Sequence, residues 1–416
     1  MGRIVFTRAN VLDGEHAPVP GSTLVVDGTR IASVGTDPVP AEPEDVVIDL
    51  GGRTLMPGMV MCHFHPTYHE LGSVPAPFGL QEPPALQAVR AVTNLERVLM
   101  HGFTSVVSAG SPFAIDAAMR RAINEGAIVG PRLVPGSRDV STTGHANDAA
   151  PWYWRVSEPG ALHLCDGPDE FRRAVREEVK EGARIIKMFV TGGHGTTGPA
   201  ERIEMTRDEL AAAIEAAHLR GALVRGHIAN RHAILMALEL GIDVIDHGDG
   251  MDDNCIEALV ERGTPVVPSM FFVFTLWDSL KDQGHDFVRS MRADLDAAFE
   301  VVPRANTAGV RLVIGDDYGA AGFPHGRYSE ELAFYVDVVG IPTLDVIRWA
   351  TVHGAHLMGR ADQLGALRPG MLADILVIDG DPSVDIAVLQ KPERLMAIMK
   401  DGRFVKDDLT RTPAPA

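Results

Sequence analysis

The sequence predicts an α/β fold: a (β/α)8 TIM barrel carrying a small β-sandwich built from both chain termini. Three observations carry that expectation. The middle of the chain alternates short apolar runs with amphipathic segments, the pattern of a parallel sheet crossed by helices. Eight such runs fall within about 300 residues, the scale of one barrel. The two ends share a different texture, short alternating strands punctuated by Gly and Pro. The expected division is residues 1–56 with 361–416 as a composite β-sandwich, and residues 57–360 as the barrel. An open doubly wound sheet is the competing fold, but no Gly-x-Gly-x-x-Gly opens a helix.

In the N-terminal segment, RIVFTRANVL, STLVVDGTRIASVG and DVVIDLGGRTLMPG read as strands, with a hairpin turn at Asp27-Gly28. The texture returns in GALRPGMLADILVIDGDPS and RLMAIMKDGRFVKD, with a second turn at Lys400-Asp401-Gly402-Arg403. The tail TRTPAPA is expected to be loose. Between the ends, the apolar runs cover residues 55–65, 104–110, 132–138, 184–193, 223–229, 243–248, 264–270 and 311–319. PDEFRRAVREEVKEGA and TRDELAAAIEAAHLRGA separate runs and read as amphipathic helices.

Composition narrows the function. The chain is 45% apolar and 23% charged, as soluble globular proteins are. A net charge of −18 argues against nucleic acid or an anionic membrane as partner. Cys62, Cys165 and Cys255 are too few and too scattered for a disulfide framework or a zinc knuckle. No run reaches the ~20 apolar residues that span a membrane. The opening MGRIVFTRANVLDG shows no signal peptide. A cytoplasmic enzyme is expected. Lysine is scarce: Lys180, Lys187 and Lys281 are the only lysines before Lys391, so each early one invites a question.

The first run ends in Cys62-His63-Phe64-His65. Residues i and i+2 of a strand point to one side, so His63 and His65 project together. Alone, such a pair could be two surface histidines. In a barrel, however, chemistry sits at the C-terminal strand ends. There the runs also place Lys187, His227, His247 and Asp317, with His227 and His247 one short αβ unit apart. Four histidines and a carboxylate at one mouth make a metal-site inventory. Lys187 lies inside Ile185-Ile186-Lys187-Met188-Phe189, a run that should be buried on both faces. A buried ammonium costs several kcal/mol unless paired or neutralised. One explanation is pairing with a core carboxylate. Arg225, two residues before His227, reads as a core arginine paired with Asp or Glu. His101, His163, His218, His232, His285, His353 and His356 read as core or surface histidines.

This set resembles the amidohydrolase superfamily, and more closely its imidazolonepropionase-like and Xaa-Pro dipeptidase (prolidase-like) branch. The lead-in Leu55-Met56-Pro57-Gly58, the segment Ile186-Lys187-Met188-Phe189-Val190-Thr191-Gly192-Gly193, and Gly365-Ala366-Leu367-Arg368-Pro369-Gly370 with Ala373-Asp374 carry the likeness. The resemblance implies a metal-dependent hydrolase of amide-like C–N bonds with two divalent ions, zinc by expectation. It implies a CO2-derived carbamate on Lys187 that bridges them. His63, His65 and Asp317 would hold one ion, and His227 and His247 the other. A hydroxide between the ions would attack, and Asp317 would shuttle its proton to the leaving amine. Gly315-Asp316-Asp317 departs from the family's Gly-Thr-Asp; alternation points Asp316 away from the site. His145, in Ser141-Thr142-Thr143-Gly144-His145, resembles a histidine that polarises the substrate carbonyl. His194, in Gly192-Gly193-His194-Gly195, is either a similar donor or, as the preferred reading, a solvated loop residue.

Specificity is read from the connections. Dipeptidase relatives often place a carboxylate-binding tyrosine where this chain has Ala229. Arg155 or Arg202 could supply a cation instead. ELGSVPAPFGLQEPP, Pro151-Trp152-Tyr153-Trp154 and Phe271 to Trp277 are apolar loops expected to cover the mouth. They suggest a small hydrophobic substrate with an aryl or bulky acyl group, or lids and the interface of a homo-oligomer. A cyclic-amide or lactone hydrolase, a one-metal deaminase and a catalytically silent scaffold are the alternatives.

Overall fold

The computed structural model describes residues 2–409 except 41, 73–75, 149, 154–159, 195, 197 and 284–285. Trp154, Arg155, His285 and the TRTPAPA tail lie outside the described residues. The chain divides into two compact units: Met1–Val60 with Arg97–Ser105 and Gly326–Ala416, and Met61–Glu96 with Val106–His325.

The first unit holds an eight-stranded sheet drawn from both chain ends. Thr54–Pro57 pairs antiparallel with Ile375–Ile378 on one side and parallel with Ile4–Val11 on the other. Beyond them lie Val19–Asp27 and Arg30–Gly35 at one edge, and Leu395–Lys400 and Arg403–Asp407 at the other; Val46–Asp49 joins Ile4–Val11. Both expected hairpins form. Asp27 pairs with Arg30 across Gly28, and Lys400 with Arg403 across Asp401 and Gly402. Asp401 (φ 50°) and Gly402 (φ 73°) both take left-handed values, as a two-residue turn matched to strand twist requires. A Cβ on Gly402 would lie 2.0 Å from the Gly28 carbonyl oxygen, so that close approach admits only glycine. The strands bury Phe6, Leu24, Val26, Ile48, Leu55, Ile375, Val377 and Met399 in one core.

Parallel strands dominate the remainder. Leu162–Leu164, Gly136–Ser141, Ile185–Phe189, Leu223–Ile228, Val244–His247 and Val266–Val267 form one parallel sheet in that spatial order. Met59–Phe64, Phe103–Ser108 and Arg132–Val134 form another. Ile185, Ile186, Lys187, Met188 and Phe189 are all buried, as a strand covered on both faces must be. The run 311–319 is not a regular strand. It still carries ladder-like bonds on both sides: Val313 N–H to Val266 O (3.0 Å), Cys62 N–H to Ile314 O (2.7 Å) and Asp316 N–H to His63 O (3.1 Å).

The expected helices form at Pro168–Glu181 and Arg207–His218. The first buries Phe171, Ala174, Val175 and Glu178. The second starts at a capping box in which Thr206 and Glu209 satisfy each other's backbone N–H. One expectation fails: Phe271 to Trp277 is no loop but part of the helix Met270–Leu280. Its first turn turns Phe271, Phe272 and Val273 inward, while Lys281 and Arg292 lie over the Trp277 ring. Among the described residues no helix is long and apolar enough to cross a membrane.

Candidate metal centre

Met59–Phe64 delivers the first pair. Phe64 turns to one side, against His325, while His63 and His65 share the other. His63 Nε2 lies 3.0 Å and His65 Nε2 3.2 Å from the same Asp317 Oδ1. His65 Nδ1 lies 3.1 Å from the Gly110 carbonyl, which can only accept, so Nδ1 carries the proton. Burial drives the His65 pKa down to about 4, so the ring is neutral at pH 7. Its Nε2 lone pair therefore faces a carboxylate oxygen. Two acceptors in contact repel unless a cation lies between them. This donor set, with one ring nitrogen backed by a carbonyl, fits a divalent ion. His63 Nδ1 meets both a donor, Arg225 Nη2 at 3.0 Å, and an acceptor, Asp246 Oδ1 at 3.3 Å. Either tautomer is supported from behind.

The second pair comes from neighbouring strands. Leu223–Ile228 and Val244–His247 align His227 with Asp246 and Ile228 with His247. The His227 and His247 rings sit 4.4 Å apart between centroids, and His63 and His247 5.5 Å apart. His227 Nε2 and His247 Nδ1 are buried without a partner. Burial holds both rings far below the ordinary imidazole pKa. Orphaned acceptors of this kind are costly unless something binds them, and a metal ion would.

Lys187 stands between the pairs, its Nζ 2.7 Å from Asp246 Oδ2. It is thus paired with a core carboxylate, the simple explanation for its burial. That carboxylate is shared, however. Arg225 grips it through Nε (2.9 Å) and Nη2, as expected of a core arginine, and also donates to the Cys62 and Ser108 carbonyls at 2.9 and 3.1 Å. Two cations and His63 hold the fully buried Asp246 ionised despite its desolvation. Asp246 was not singled out from sequence. Strand alternation puts Asp246, in register with His227, on the inner face and would send His247 outward. His247 turns in only because it takes a left-handed φ of 73°.

A cavity of about 620 Å³ opens over these groups. His65, Lys187, His227, His247 and Asp317 line it, with Tyr68, Phe78, Phe189 and Phe272 among the apolar walls. Asp139 also lines it, its pKa raised to about 6 by burial, another group not found from sequence. Asp316 points away, accepting N–H groups from Phe272 and Asp317. His145 is buried but does not line the cavity; its Nδ1 accepts the Asn147 N–H, leaving an Nε2–H without a partner. His194 corrects the sequence reading. It is 4% exposed rather than solvated, lines the cavity, and stacks on His247 with centroids 3.7 Å apart. Gly193 to Gly198 has the Gly-x-Gly-x-x-Gly spacing, but the next helix begins only at Arg207. Trp152 and Tyr153 are 94% and 65% exposed and line no cavity wall.

The sequence profile of the Amidohydrolase family matches residues 54–405. This chain belongs to the amidohydrolase family. The amidohydrolase is 27% identical to ochratoxinase of Aspergillus niger over 429 aligned residues, 95% of this chain and 85% of that one. Among solved structures it resembles a Xaa-Pro dipeptidase with methionine bound in its active site. That likeness has 27% identity and a TM-score of 0.86, over 97% of this chain and 100% of the other. It also resembles a prolidase complexed with N-methylphosphonate-L-proline, at 30% identity and a TM-score of 0.85, over 97% and 100%. The amidohydrolase is a hydrolase acting on amide-like C–N bonds, as its family and relatives establish.

Proposed function

We propose that this amidohydrolase is a binuclear metal enzyme cleaving a neutral aryl or bulky-acyl amide, carbamate or urea. In this reading His63, His65 and Asp317 hold one ion, His227 and His247 the other, and a carboxylated Lys187 bridges them; both ions are zinc. The convergence of two acceptors, His65 Nε2 and Asp317 Oδ1, at 3.2 Å carries the reading. The sharing of Asp246 between Arg225 and Lys187 supports the bridge. When Lys187 becomes an anion, Asp246 keeps a cationic partner in Arg225. CO2 adds to the neutral amine, the N–C bond forms, and one proton leaves. In this reading the eight runs close as a (β/α)8 barrel through residues 311–316 and the chain ends form a β-sandwich, with boundaries near 57 and 360.

The ions would acidify a bound water and polarise the scissile carbonyl. Asp317 takes the proton of the attacking water and passes it to the leaving nitrogen. His63 favours its ionised form over the opposing effect of burial. For His145 to donate its unpartnered Nε2–H to the substrate carbonyl, its ring must turn toward the cavity, which it does not line. The cavity favours a neutral substrate. No arginine lines it among the described residues, and Arg202 is engaged by Glu204 and the Gly144 carbonyl. The Ala229 methyl lies against the Gly193 loop, where a Cβ on Gly193 would approach it to 2.8 Å. A tyrosine has no room there. Three buried free thiols fit the cytoplasm, and exposed Trp152 and Tyr153 fit an interface in a homo-oligomer.

Lys187→Ala tests the bridge. It should lose bound metal and activity together, with partial recovery in acetate. Wild-type metal content and rate would refute it.

A further inference from the structure

Asp249 holds His194 from behind. His194 Nδ1 lies 2.9 Å from Asp249 Oδ2 and 3.1 Å from Oδ1, so it donates its proton there. Its Nε2 is buried and has no partner. A ring that gives one N–H to a carboxylate and offers the other nitrogen as a lone pair has the arrangement of a metal-ligating histidine. The same logic identifies His65, backed by Gly110. One nitrogen each of His194 and His247 and one oxygen of Asp317 all lie within 4.8 Å of one another. His194 reaches this place at a cost: it takes a left-handed φ of 48°, and so does the ring it stacks on, His247 at 73°. Non-glycine residues in that region are strained and persist where the surroundings demand them. A solvated loop histidine would show neither the strain nor the carboxylate.

We propose that His194 is a further protein ligand of the ion held by Lys187, His227 and His247, with Asp249 as its orienting carboxylate. The proposal rests on the binuclear reading above and evens its ligand count. With His194, the ion at His227 and His247 has four protein ligands counting the bridging Lys187, as many as the ion at His63, His65 and Asp317.

The test counts metal rather than turnover. Metal-depleted protein is titrated with Zn2+ against a chromophoric chelator, and bound zinc is counted by emission spectrometry. Wild type should take two ions. His194→Ala should keep one ion at wild-type affinity and weaken the other by tenfold or more, and Asp249→Asn should weaken the same ion about tenfold. If circular dichroism shows His194→Ala unfolded, His194→Gln takes its place, with the same weakening expected. Wild-type affinity for both ions in a folded His194 variant overturns this inference alone, provided Lys187→Ala loses metal. Wild type that binds no zinc overturns the binuclear reading with it.

Discussion

Asp246→Asn probes the frame under the candidate metal centre. The substitution keeps the side chain's shape and removes its charge. Asp246 is fully buried, and its oxygens serve Arg225 Nε and Nη2, Lys187 Nζ and His63 Nδ1. Removing one partner of a buried pair leaves an uncompensated charge, worth about 3–5 kcal/mol. Here the group left behind is the fully buried Arg225 guanidinium. The variant should therefore lose about 3–5 kcal/mol even with no metal bound. The assay is urea denaturation of chelator-treated protein. At a slope of about 3 kcal/mol/M, the midpoint should fall by about 1–1.7 M. The exposed pair Arg8–Asp49 serves as contrast, and its removal should leave the midpoint in place. A shift below about 0.3 M in Asp246→Asn would mean that the ionic frame does not hold the site.

Replacing His63, His65, His227 or His247 by Ala should each reduce bound zinc, whereas His163→Ala, whose ring bonds Glu178 at 2.8 Å, should not; full zinc in any of the four would remove that residue from the centre. Specificity is checked by kcat/KM on an N-acyl amino acid and its neutral anilide. The anilide should win, and a preference of tenfold or more for the free acid, about 1.4 kcal/mol, would restore a dipeptidase reading. Asp116 is buried, and burial raises its pKa from 3.8 to about 7. The native state thus holds a proton that the unfolded chain releases, so stability falls as pH rises from 4 to 7. The stability of wild type relative to Asp116→Asn should drop by about 4 kcal/mol across that window in metal-free protein; a flat difference would show that Asp116 stays ionised.

Residues whose role follows from strand alternation were readable in advance. His63 and His65 share a face because they are two apart, and Asp316 turns away because it is one from Asp317. Lys187 stood out because an ammonium inside an apolar run needs an explanation. Asp246 was missed for the converse reason. It sits beside a candidate ligand, and only the left-handed backbone of His247 lets both side chains turn inward. His194 was misread because nothing in Gly192-Gly193-His194 announces Asp249, 55 residues later, as its partner. The helix at Met270–Leu280 was taken for a loop because its apolar stretch has no polar stripe to mark a 3.6-residue period. The eighth run lacks regular strand geometry, although its bonds to Val266 and His63 remain.

Arg225 ties Asp246 to the carbonyls of Cys62 and Ser108 underneath the ligands. The apolar walls come largely from elsewhere, around Tyr68 and Phe78, from Ala146, Ala150 and Pro151, and from Phe272. Binding chemistry and chemical taste are thereby carried by separate pieces of chain. Grafting the wall segments of a relative onto this scaffold should change which molecules are accepted while zinc uptake stays as it was. A lineage could explore new substrates by editing loops without losing its catalyst at any step.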